Sequence, residues 1–260
     1  MKMAMRVSMI CVGVILIGIL TTVPSFAGSL VAYWTFDEGS GDVLKDQSGT
    51  GNDGKINGKP KWVEGKIVKT IEFDGVDDFV LVPNNDSYNF NKSASFTITL
   101  WINYVAKGDW AGPLQKFNGG YPFKVEIDTS NVLYFAIYDG TNFPRADIGN
   151  VNGEWHQCCF TRDAKRKKLT AYLDGKLKQE SDDTTTGEIA NAADLYIGAR
   201  KPGNTITYKG MLDEIAIYNR LLTEDEIKQA ANGKLPETKS MPVQHFGKLA
   251  TMWGNVKNIR

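Results

Sequence analysis

The chain has 260 residues, with 30 basic and 30 acidic side chains, so that its formal net charge is zero. A balanced charge produces no long-range field that would attract nucleic acid or anionic lipid, and we expect neither as a partner. Glycine is abundant and aromatic residues make up 11% of the chain, a composition that favours an all-β globular protein.

The first 27 residues have the pattern of a secretory signal peptide. A basic start is followed by an apolar run from Met9 to Leu20, and Ser25 and Ala27 supply the small residues that a signal peptidase reads. We predict cleavage near Gly28 and a secreted, extracellular or cell-surface location. The alternative is an uncleaved membrane anchor, but the apolar run is short for a span of about 20 residues. We therefore expect no membrane insertion after cleavage.

Alternation of apolar and polar residues with a period of two predicts β-strands along most of the mature chain. The clearest example is residues 95–104, in which five apolar side chains share one face and Trp101 lies on the other. An apolar strand from Leu30 and a late strand within 209–220 are interpreted as the two closing strands of a sandwich. The other predicted strands are Phe79–Val82, Phe123–Asp128, Val132–Tyr138, Trp155–Arg162, Leu169–Leu173, Lys176–Lys178, Leu195–Ile197 and Leu212–Tyr218.

Local signals predict one hairpin and one helix. Asp174-Gly175 tolerates the positive φ angles of a tight two-residue turn. Thr223 and Glu226 have the spacing of a capping box at the start of a short helix, which Gly233 is placed to end. The helix is too short and too late for an α/β fold. The sequence therefore predicts an all-β, antiparallel sandwich or barrel at 28–234, with one short C-terminal helix and a tail at 235–260.

Two cysteines remain in the mature chain, Cys158 and Cys159. Neighbours in a strand point to opposite faces, so we expect one buried thiol, one outward thiol and no disulfide between them. The chain also has a short basic cluster, residues 165–168, which interrupts two strand patterns. We interpret this cluster as a solvated turn.

Six motifs occur in order along the chain and together indicate one family. They are Ala32-Tyr-Trp-Thr-Phe-Asp-Glu-Gly-Ser-Gly41, Asp46-Gln-Ser-Gly49 with Asn52-Asp-Gly54, Ile71-Glu-Phe-Asp-Gly-Val-Asp-Asp-Phe-Val80, Gly153-Glu-Trp-His156, Leu173-Asp-Gly-Lys176 and residues 210–222. This set resembles the laminin G-like jelly-roll domains of the concanavalin A-like lectin/glucanase superfamily, in its bacterial secreted branch. The resemblance implies two antiparallel sheets packed face to face. It also implies a module that binds glycans, proteins or calcium, or that serves as a spacer in a larger secreted protein.

Asp213 is the first candidate metal ligand. If Ile215 and Ile217 face the core, alternation places Asp213 on the same face, and a carboxylate directed inward must be paired or bound to a metal. The resemblance implies a structural calcium ion held by Asp213 and by carbonyl oxygens near Asp37 and Gly75. Asp74 is a second acidic candidate. Alternatively, Asp213 accepts backbone hydrogen bonds, while Asp37 and Asp74 are ordinary turn residues.

Two aromatic residues in glycine-flanked loops, Trp110 and Tyr121, are candidate glycan-binding residues. Flat aromatic faces can stack against the apolar faces of sugar rings while neighbouring polar groups bind hydroxyls. The alternative is that each ring folds back over a sheet edge, as amphipathic aromatic side chains often do.

A glycoside hydrolase of this fold needs two carboxylates close together on one strand. The chain offers Glu126 and Asp128, but Ser130 and Asn131 stand where the second glutamate should be. We therefore predict no catalysis, and we interpret the two acids as solvent-facing strand residues. The predicted function is a non-catalytic module that binds an extracellular glycan or mediates adhesion. A structural spacer or a domain that binds a surface protein is the alternative.

Overall fold

The computed structural model describes residues 29–118, 120–200 and 206–235. The predicted signal peptide (1–27) and almost all of the predicted tail lie outside these residues, so both assignments stay predictions. Within the described residues, sixteen strands form two antiparallel sheets of eight strands each. This arrangement confirms the predicted all-β, two-sheet antiparallel fold. No helix in the described part of the chain has the length and apolar character needed to cross a bilayer.

The two sheets are called A and B. Sheet A contains, in spatial order, β14 (Lys176–Asp182), β13 (Lys168–Leu173), β12 (Trp155–Asp163), β7 (Phe96–Tyr104), β16 (Lys209–Tyr218), β5 (Lys69–Asp74) and β4 (Lys61–Glu64), and β1 (Leu30–Trp34) also pairs with β16. Sheet B contains β11 (Arg145–Asn150), β10 (Val132–Tyr138), β9 (Tyr121–Ile127), β8 (Ala111–Lys116), β15 (Leu195–Ile197), β6 (Phe79–Val82), β3 (Gly54–Asn57) and β2 (Val43–Leu44). The helices are α1 (Glu224–Ala231) and a short 3-10 helix (Asp86–Tyr88).

The main core lies between the two sheets. Strand β7 contributes the five alternating side chains that the sequence predicted for its inner face, and all are fully buried: Phe96, Ile98, Leu100, Ile102 and Tyr104. Phe123 and Phe135 on sheet B pack against Phe96, with ring centroids 5.9 and 6.0 Å away. Burying apolar area on this scale is the main source of stability in a sandwich.

The two predicted closing strands pair with each other in sheet A. Strand β1 runs antiparallel to β16, from Leu30 opposite Tyr218 to Trp34 opposite Ile215. The hairpin of β13 and β14 is also confirmed, because Leu173 lies opposite Lys176 with two residues between them. Those two residues, Asp174 and Gly175, have φ angles of +50° and +74°, as the tight turn requires.

A second apolar cluster lies on the outer face of sheet A, the face turned away from sheet B. Helix α1 begins with the predicted capping box of Thr223 and Glu226, and its Ile227 is buried in this cluster. Cys158 lies in the main core and Cys159 in the second cluster, which confirms that the two thiols take opposite faces. The expectation of an outward, accessible thiol was wrong, because the outer cluster covers Cys159 completely.

Candidate functional site

Four aromatic side chains form a continuous row on the outer face of sheet B: Phe117, Tyr121, Tyr138 and Phe143. Successive ring centroids along this row are 4.9, 6.4 and 6.2 Å apart. The first three side chains are half-buried, and Phe143 is 44% exposed. We call these four residues the aromatic row. Apolar side chains that stay together at a surface mark a binding site more often than scattered ones do.

A register shift turns Tyr121 outward. Strand β9 sends Phe123 and Val125 into the core, so uninterrupted alternation would send Tyr121 inward as well. The pairing of β10 with β9 slips by one residue between Ala136 and Tyr138, and Tyr138 then lies opposite Tyr121. Residues that lie opposite each other share a face, so both tyrosines join the row. The predicted loop residue Tyr121 is the first residue of a strand.

A buried ionic network lies beneath the aromatic row. The carboxylate of Glu126 is fully buried and accepts hydrogen bonds from the side chains of four residues: Lys124 (2.6 Å), Tyr134 (2.5 Å), Gln115 (2.6 Å) and Arg200 (2.8 Å). Burial alone would raise the pKa of Glu126, but Lys124, Tyr134 and Arg200 hold it below its usual value. The interpretation of Glu126 as a solvent-facing acid was therefore wrong.

The Lys124 ammonium group joins this network to the aromatic row. Its Nζ lies 4.7 Å from the ring centroid of Tyr121, 5.1 Å from that of Tyr134 and 4.8 Å from that of Phe143. Cations attract the faces of aromatic rings at such distances. A buried cation therefore holds Tyr121 and Phe143 in place. Tyr121 stays half-buried, and Phe143 is the more exposed of the two rings.

Asp128 is a turn residue. Its Oδ1 accepts the backbone N–H groups of Ser130 and Val132, at 3.0 and 3.1 Å, and its Oδ2 lies 3.7 Å from Arg145. Every oxygen of Glu126 is also occupied by donors. Both acids therefore have a structural role on this face: Glu126 holds the ionic network together, and Asp128 holds the turn after β9.

Trp110 lies at the other end of the β8–β9 hairpin. It is half-buried and directly precedes β8, whose first residue Ala111 pairs with Ile127. Tyr121 is six residues from Ile127 along β9, a separation of about 20 Å at the usual rise of a strand. The structure therefore does not bring the two predicted glycan-binding aromatic residues together.

The metal candidate Asp213 is buried, but on the face opposite to the predicted one. It lies opposite Trp101 on β7, whereas its neighbour Leu212 lies opposite the core residue Ile102. A bulge follows in β16, with Glu214 at a φ angle of +52°. The bulge changes the alternation, so Ile215 faces the core while Asp213 faces outward. The expectation that Asp213 shares the face of Ile215 was therefore wrong.

The segment 65–69 covers Asp213 on the outer face of sheet A. Asp213 Oδ2 accepts the backbone N–H of Ile67 at 2.9 Å, while its buried Oδ1 has no hydrogen-bond partner among the described residues. Asp37 Oδ1 accepts the N–H of Lys69 at 3.0 Å, and Glu214 accepts the hydroxyl of Tyr33. We call Asp37, Asp213 and Glu214 the acidic cluster. Burial raises the pKa of both Asp213 and Glu214 to about 7.

Asp74 belongs to a different place in the fold. It pairs with Lys209, four residues before Asp213 on β16, which is a separation of about 13 Å along the strand. Its Oδ1 accepts the N–H of Val76 as in an ordinary turn. The carbonyl oxygen of Gly75 accepts the hydroxyl of Thr207. Asp74 and Gly75 therefore cannot complete a site around Asp213, although the carboxylates of Asp74, Asp77 and Asp78 lie within 4.8 Å of one another.

Comparison with known proteins identifies the family. Residues 74–228, more than half of the chain, match the Laminin_G_3 family of the concanavalin A-like lectin/glucanases superfamily. The chain belongs to this family. The resemblance drawn from the six sequence motifs is therefore confirmed, and so is the jelly-roll sandwich that it implied.

One curated protein and several solved binding domains are similar to this chain. Paraclostridial mosquitocidal protein 1 of Paraclostridium bifermentans is 24% identical over 213 residues, which are 74% of this chain and 16% of that protein. The crystal structure of its binding domain has a TM-score of 0.67 at 19% identity, covering 79% of this chain and 52% of that one. The receptor-binding domain of botulinum neurotoxin C/D mosaic serotype has a TM-score of 0.65 at 13% identity, covering 79% and 51%. This chain therefore spans about half the length of the solved binding domains that it matches.

Of the aromatic row, only Tyr121 was predicted from the sequence. Phe117 and Phe143 lie just outside the strands of the β8–β9–β10 meander, where a period-two pattern carries no information on facing. Tyr138 is the last residue of β10, and its place in the row depends on the register shift opposite Tyr121. The pairing of Lys124 with Glu126 was readable in principle, because residues two apart in a strand share a face. Opposite charges at that spacing indicate an ion pair.

Proposed function

We propose that this chain is a non-catalytic binding module that recognises a carbohydrate outside the cell through the aromatic row. The observation that carries the proposal is the contiguity of the four rings on one accessible face. Sugar rings present apolar C–H surfaces that stack on aromatic side chains, and hydroxyls that need polar partners at the rim. Ligand sites generally combine an aromatic lining with a few fixed polar groups.

Arg145, two residues after Phe143, supplies a polar group of the kind that such a site needs. Arg145 is 36% exposed and is held by Asp147 through an ion pair of 2.8 Å. Its guanidinium group stacks on Tyr134, with 4.5 Å to the ring centroid. A guanidinium fixed in this way keeps its position when a ligand arrives, which reduces the entropy lost on binding.

The similar solved structures support binding as the role of this fold. Those structures are described as binding domains or receptor-binding domains of toxins. A non-catalytic role also agrees with the environment of Glu126, because both of its carboxylate oxygens accept hydrogen bonds from neighbouring side chains. Export of the chain rests on the predicted signal peptide, since residues 1–27 lie outside the described structure.

A second candidate function is recognition of a surface protein, without carbohydrate. One similar solved structure is the binding domain of botulinum neurotoxin DC in complex with rat synaptotagmin II, with a TM-score of 0.63 and 15% identity. A protein ligand could use the same aromatic row, since aromatic residues are enriched at the centres of protein interfaces. A glycan microarray separates the two functions, because only the carbohydrate proposal expects bound sugars.

We also propose that the acidic cluster holds a structural calcium ion. Asp213 Oδ1 is a buried carboxylate oxygen with no hydrogen-bond partner among the described residues, and such an atom is costly unless a cation or donor meets it. Asp37 accepts from Lys69 of the segment that also donates to Asp213 through Ile67, and Glu214 is the next residue along β16. Calcium prefers carboxylate and carbonyl oxygens at irregular geometry. Asp213 and Asp37 would be side-chain ligands, with Glu214 as a third.

The experiment for the carbohydrate proposal is a glycan microarray of the mature chain, run with added calcium and again with a chelator. The proposal expects a defined group of bound glycans. A uniformly blank array in both conditions would contradict it and would favour the protein-binding candidate.

A further inference from the structure

A basic pocket of about 420 Å³ opens where β12 and β14 end and β7 begins. Its lining contains four basic side chains, Lys92, Arg162, Lys165 and Lys167, and one acidic side chain, Asp183. Two serines and two threonines complete most of the remaining wall. The chain as a whole has no net charge, whereas the lining of this pocket has an excess of three basic side chains.

Arg162 and Asp183 form the rigid floor of the pocket. Arg162 is 2% exposed, and its Nε donates to Asp183 Oδ2 at 2.8 Å. Its remaining N–H groups donate to the carbonyl oxygens of Asn91, Lys92 and Ala94 and to the hydroxyl of Thr185. The only acid of the lining is thus neutralised within the floor, and the arginine has no donor left for a ligand.

The three lysines at the rim are the groups available to a ligand. Lys92, Lys165 and Lys167 are exposed, and none of them forms an ion pair with a described residue. Lys167 lies at a φ angle of +53° and donates from Nζ to the carbonyl oxygen of Thr185 at 3.5 Å. Non-glycine residues in this conformation are strained and tend to occur at functional positions. Most of the basic cluster at 165–168 lies in the exposed turn that the sequence predicted, and two of its lysines, Lys165 and Lys167, line the pocket.

The basic pocket adjoins the aromatic row. Thr186 of the pocket lining donates its backbone N–H to Asp139 Oδ2 at 2.7 Å. The same carboxylate accepts the N–H of Asn142 through Oδ1 at 2.7 Å, and Asn142 Nδ2 donates to the hydroxyl of Thr186 at 3.3 Å. Phe143 follows Asn142 directly. The loop that presents the exposed ring of the row is therefore fastened to the wall of the pocket.

We propose that the carbohydrate recognised by this module is acidic, and that its carboxylate or sulfate group is bound in the basic pocket while a neighbouring sugar lies on the aromatic row. This inference rests on the proposed carbohydrate function and adds the chemical class of the ligand. Three exposed ammonium groups that form no ion pair within the described residues attract an oxyanion. The pocket volume admits a substituted sugar residue, whereas a neutral sugar would leave the lysine charges without a counterpart.

The test uses acidic oligosaccharides and their neutral counterparts, measured by isothermal titration calorimetry. Suitable pairs are oligogalacturonates with their methyl esters and sulfated dextran oligosaccharides with unsulfated dextran. The double variant Lys92→Gln/Lys165→Gln removes two rim charges whose ammonium groups form no ion pair with a described residue. Arg166→Gln is the matched control, because Arg166 is exposed in the same turn and pairs with Glu180 at 3.5 Å, outside the lining.

The wild-type protein is expected to bind at least one acidic oligosaccharide about tenfold more tightly than its neutral counterpart, since one charge-assisted contact is worth that much. The double variant should lose this preference, and Arg166→Gln should keep it. Equal binding of acidic and neutral members in every pair would overturn the proposal, and so would an equal loss in Arg166→Gln. Sodium sulfate that binds as tightly as the sulfated sugar would also overturn the proposal, because the pocket would then bind a free anion without any contribution from the sugar.

A further variant distinguishes this proposal from the proposed carbohydrate function. Phe143→Ala changes the aromatic row and leaves the rim lysines in place. If it weakens the neutral and acidic members equally while the double variant abolishes only the acidic preference, both proposals hold. If neutral sugars bind through Phe143 with no acidic preference, the basic pocket fails and the carbohydrate function stands.

Discussion

Lys124 Nζ lies 2.6 Å from the carboxylate of Glu126, two residues further along the same strand, and both side chains are buried on the outer face of sheet B. The depth of burial of this ion pair is unusual, because no second sheet within the described residues covers the outer face of sheet B. Arg200 closes over it from the side, at 2.8 Å from the second oxygen of Glu126. The charged network supports three rings of the aromatic row, because Lys124 lies against Tyr121 and Phe143 and Arg200 lies 5.8 Å from the ring centroid of Phe117.

Removing the negative charge of this network should destabilise the fold. Glu126→Gln leaves Lys124 and Arg200 without their buried counter-charge, so we expect a loss of about 3 kcal/mol in the free energy of unfolding. Urea denaturation of the purified domain measures it. Asp53→Asn is the control, because it breaks an exposed pair with Lys45 and should cost less than about 1 kcal/mol. Equal losses in the two variants would contradict the role of Glu126.

The calcium proposal predicts a stabilisation that depends on Asp213. Calcium at about one hundred times its dissociation constant should stabilise the wild type by about 2.7 kcal/mol, seen as a rise in melting temperature over the chelated protein. Asp213→Asn should abolish the rise. Asp74→Asn should retain it, because Asp74 lies in a separate turn. No shift between calcium and chelator in the wild type would rule out the ion.

Lys116 should make the stability depend on pH in alkaline solution. Burial lowers its pKa to about 8, below the usual value for lysine. Between pH 8 and 9.5 the unfolded chain holds this proton while the folded chain has released it, so stability rises with pH over this window. Lys116→Met removes the titration. The measurement is the free energy of unfolding against pH, and identical slopes for the variant and the wild type would contradict the assignment.

Trp110 should matter only for long ligands. About 20 Å separates it from Tyr121 along β9, so a short oligosaccharide on the aromatic row does not reach it. We expect Trp110→Ala to weaken retention on a polysaccharide, to leave binding of a short oligosaccharide unchanged and to leave the melting temperature nearly unchanged. Affinity electrophoresis with long and short ligands tests this. Equal retention of variant and wild type on the polysaccharide would remove Trp110 from the binding surface.

The inner face of β7 was predictable from sequence because its alternation is uninterrupted, and burial alone decides where Phe96 and Ile98 point. Alternation predicted the wrong face for Asp213, and it could not predict the face of Tyr121. In both places a bulge changes the alternation, and a bulge depends on the neighbouring strand as well as on the local sequence. Cys159 was misjudged for another reason, since the helix that covers it comes more than sixty residues later in the chain.

The aromatic row also depends on contacts between distant segments. Phe117 comes before the β8–β9 turn and Phe143 after β10, and only the assembled meander places their rings in one row. The residue types were visible in the sequence, but their common face was not. The strand register decides which face each side chain takes, and the sequence alone did not give the register here.

The central claim is that the aromatic row binds carbohydrate, and calorimetric titration of Phe143→Ala with the best-bound oligosaccharide of the array tests it most directly. Phe143 is exposed, so its removal should leave the melting temperature nearly unchanged while weakening binding about tenfold or more. Leu177→Ala, which removes another exposed apolar side chain on sheet A (59% exposed), should bind like the wild type. Wild-type affinity in Phe143→Ala, or an equal loss in Leu177→Ala, would contradict the account.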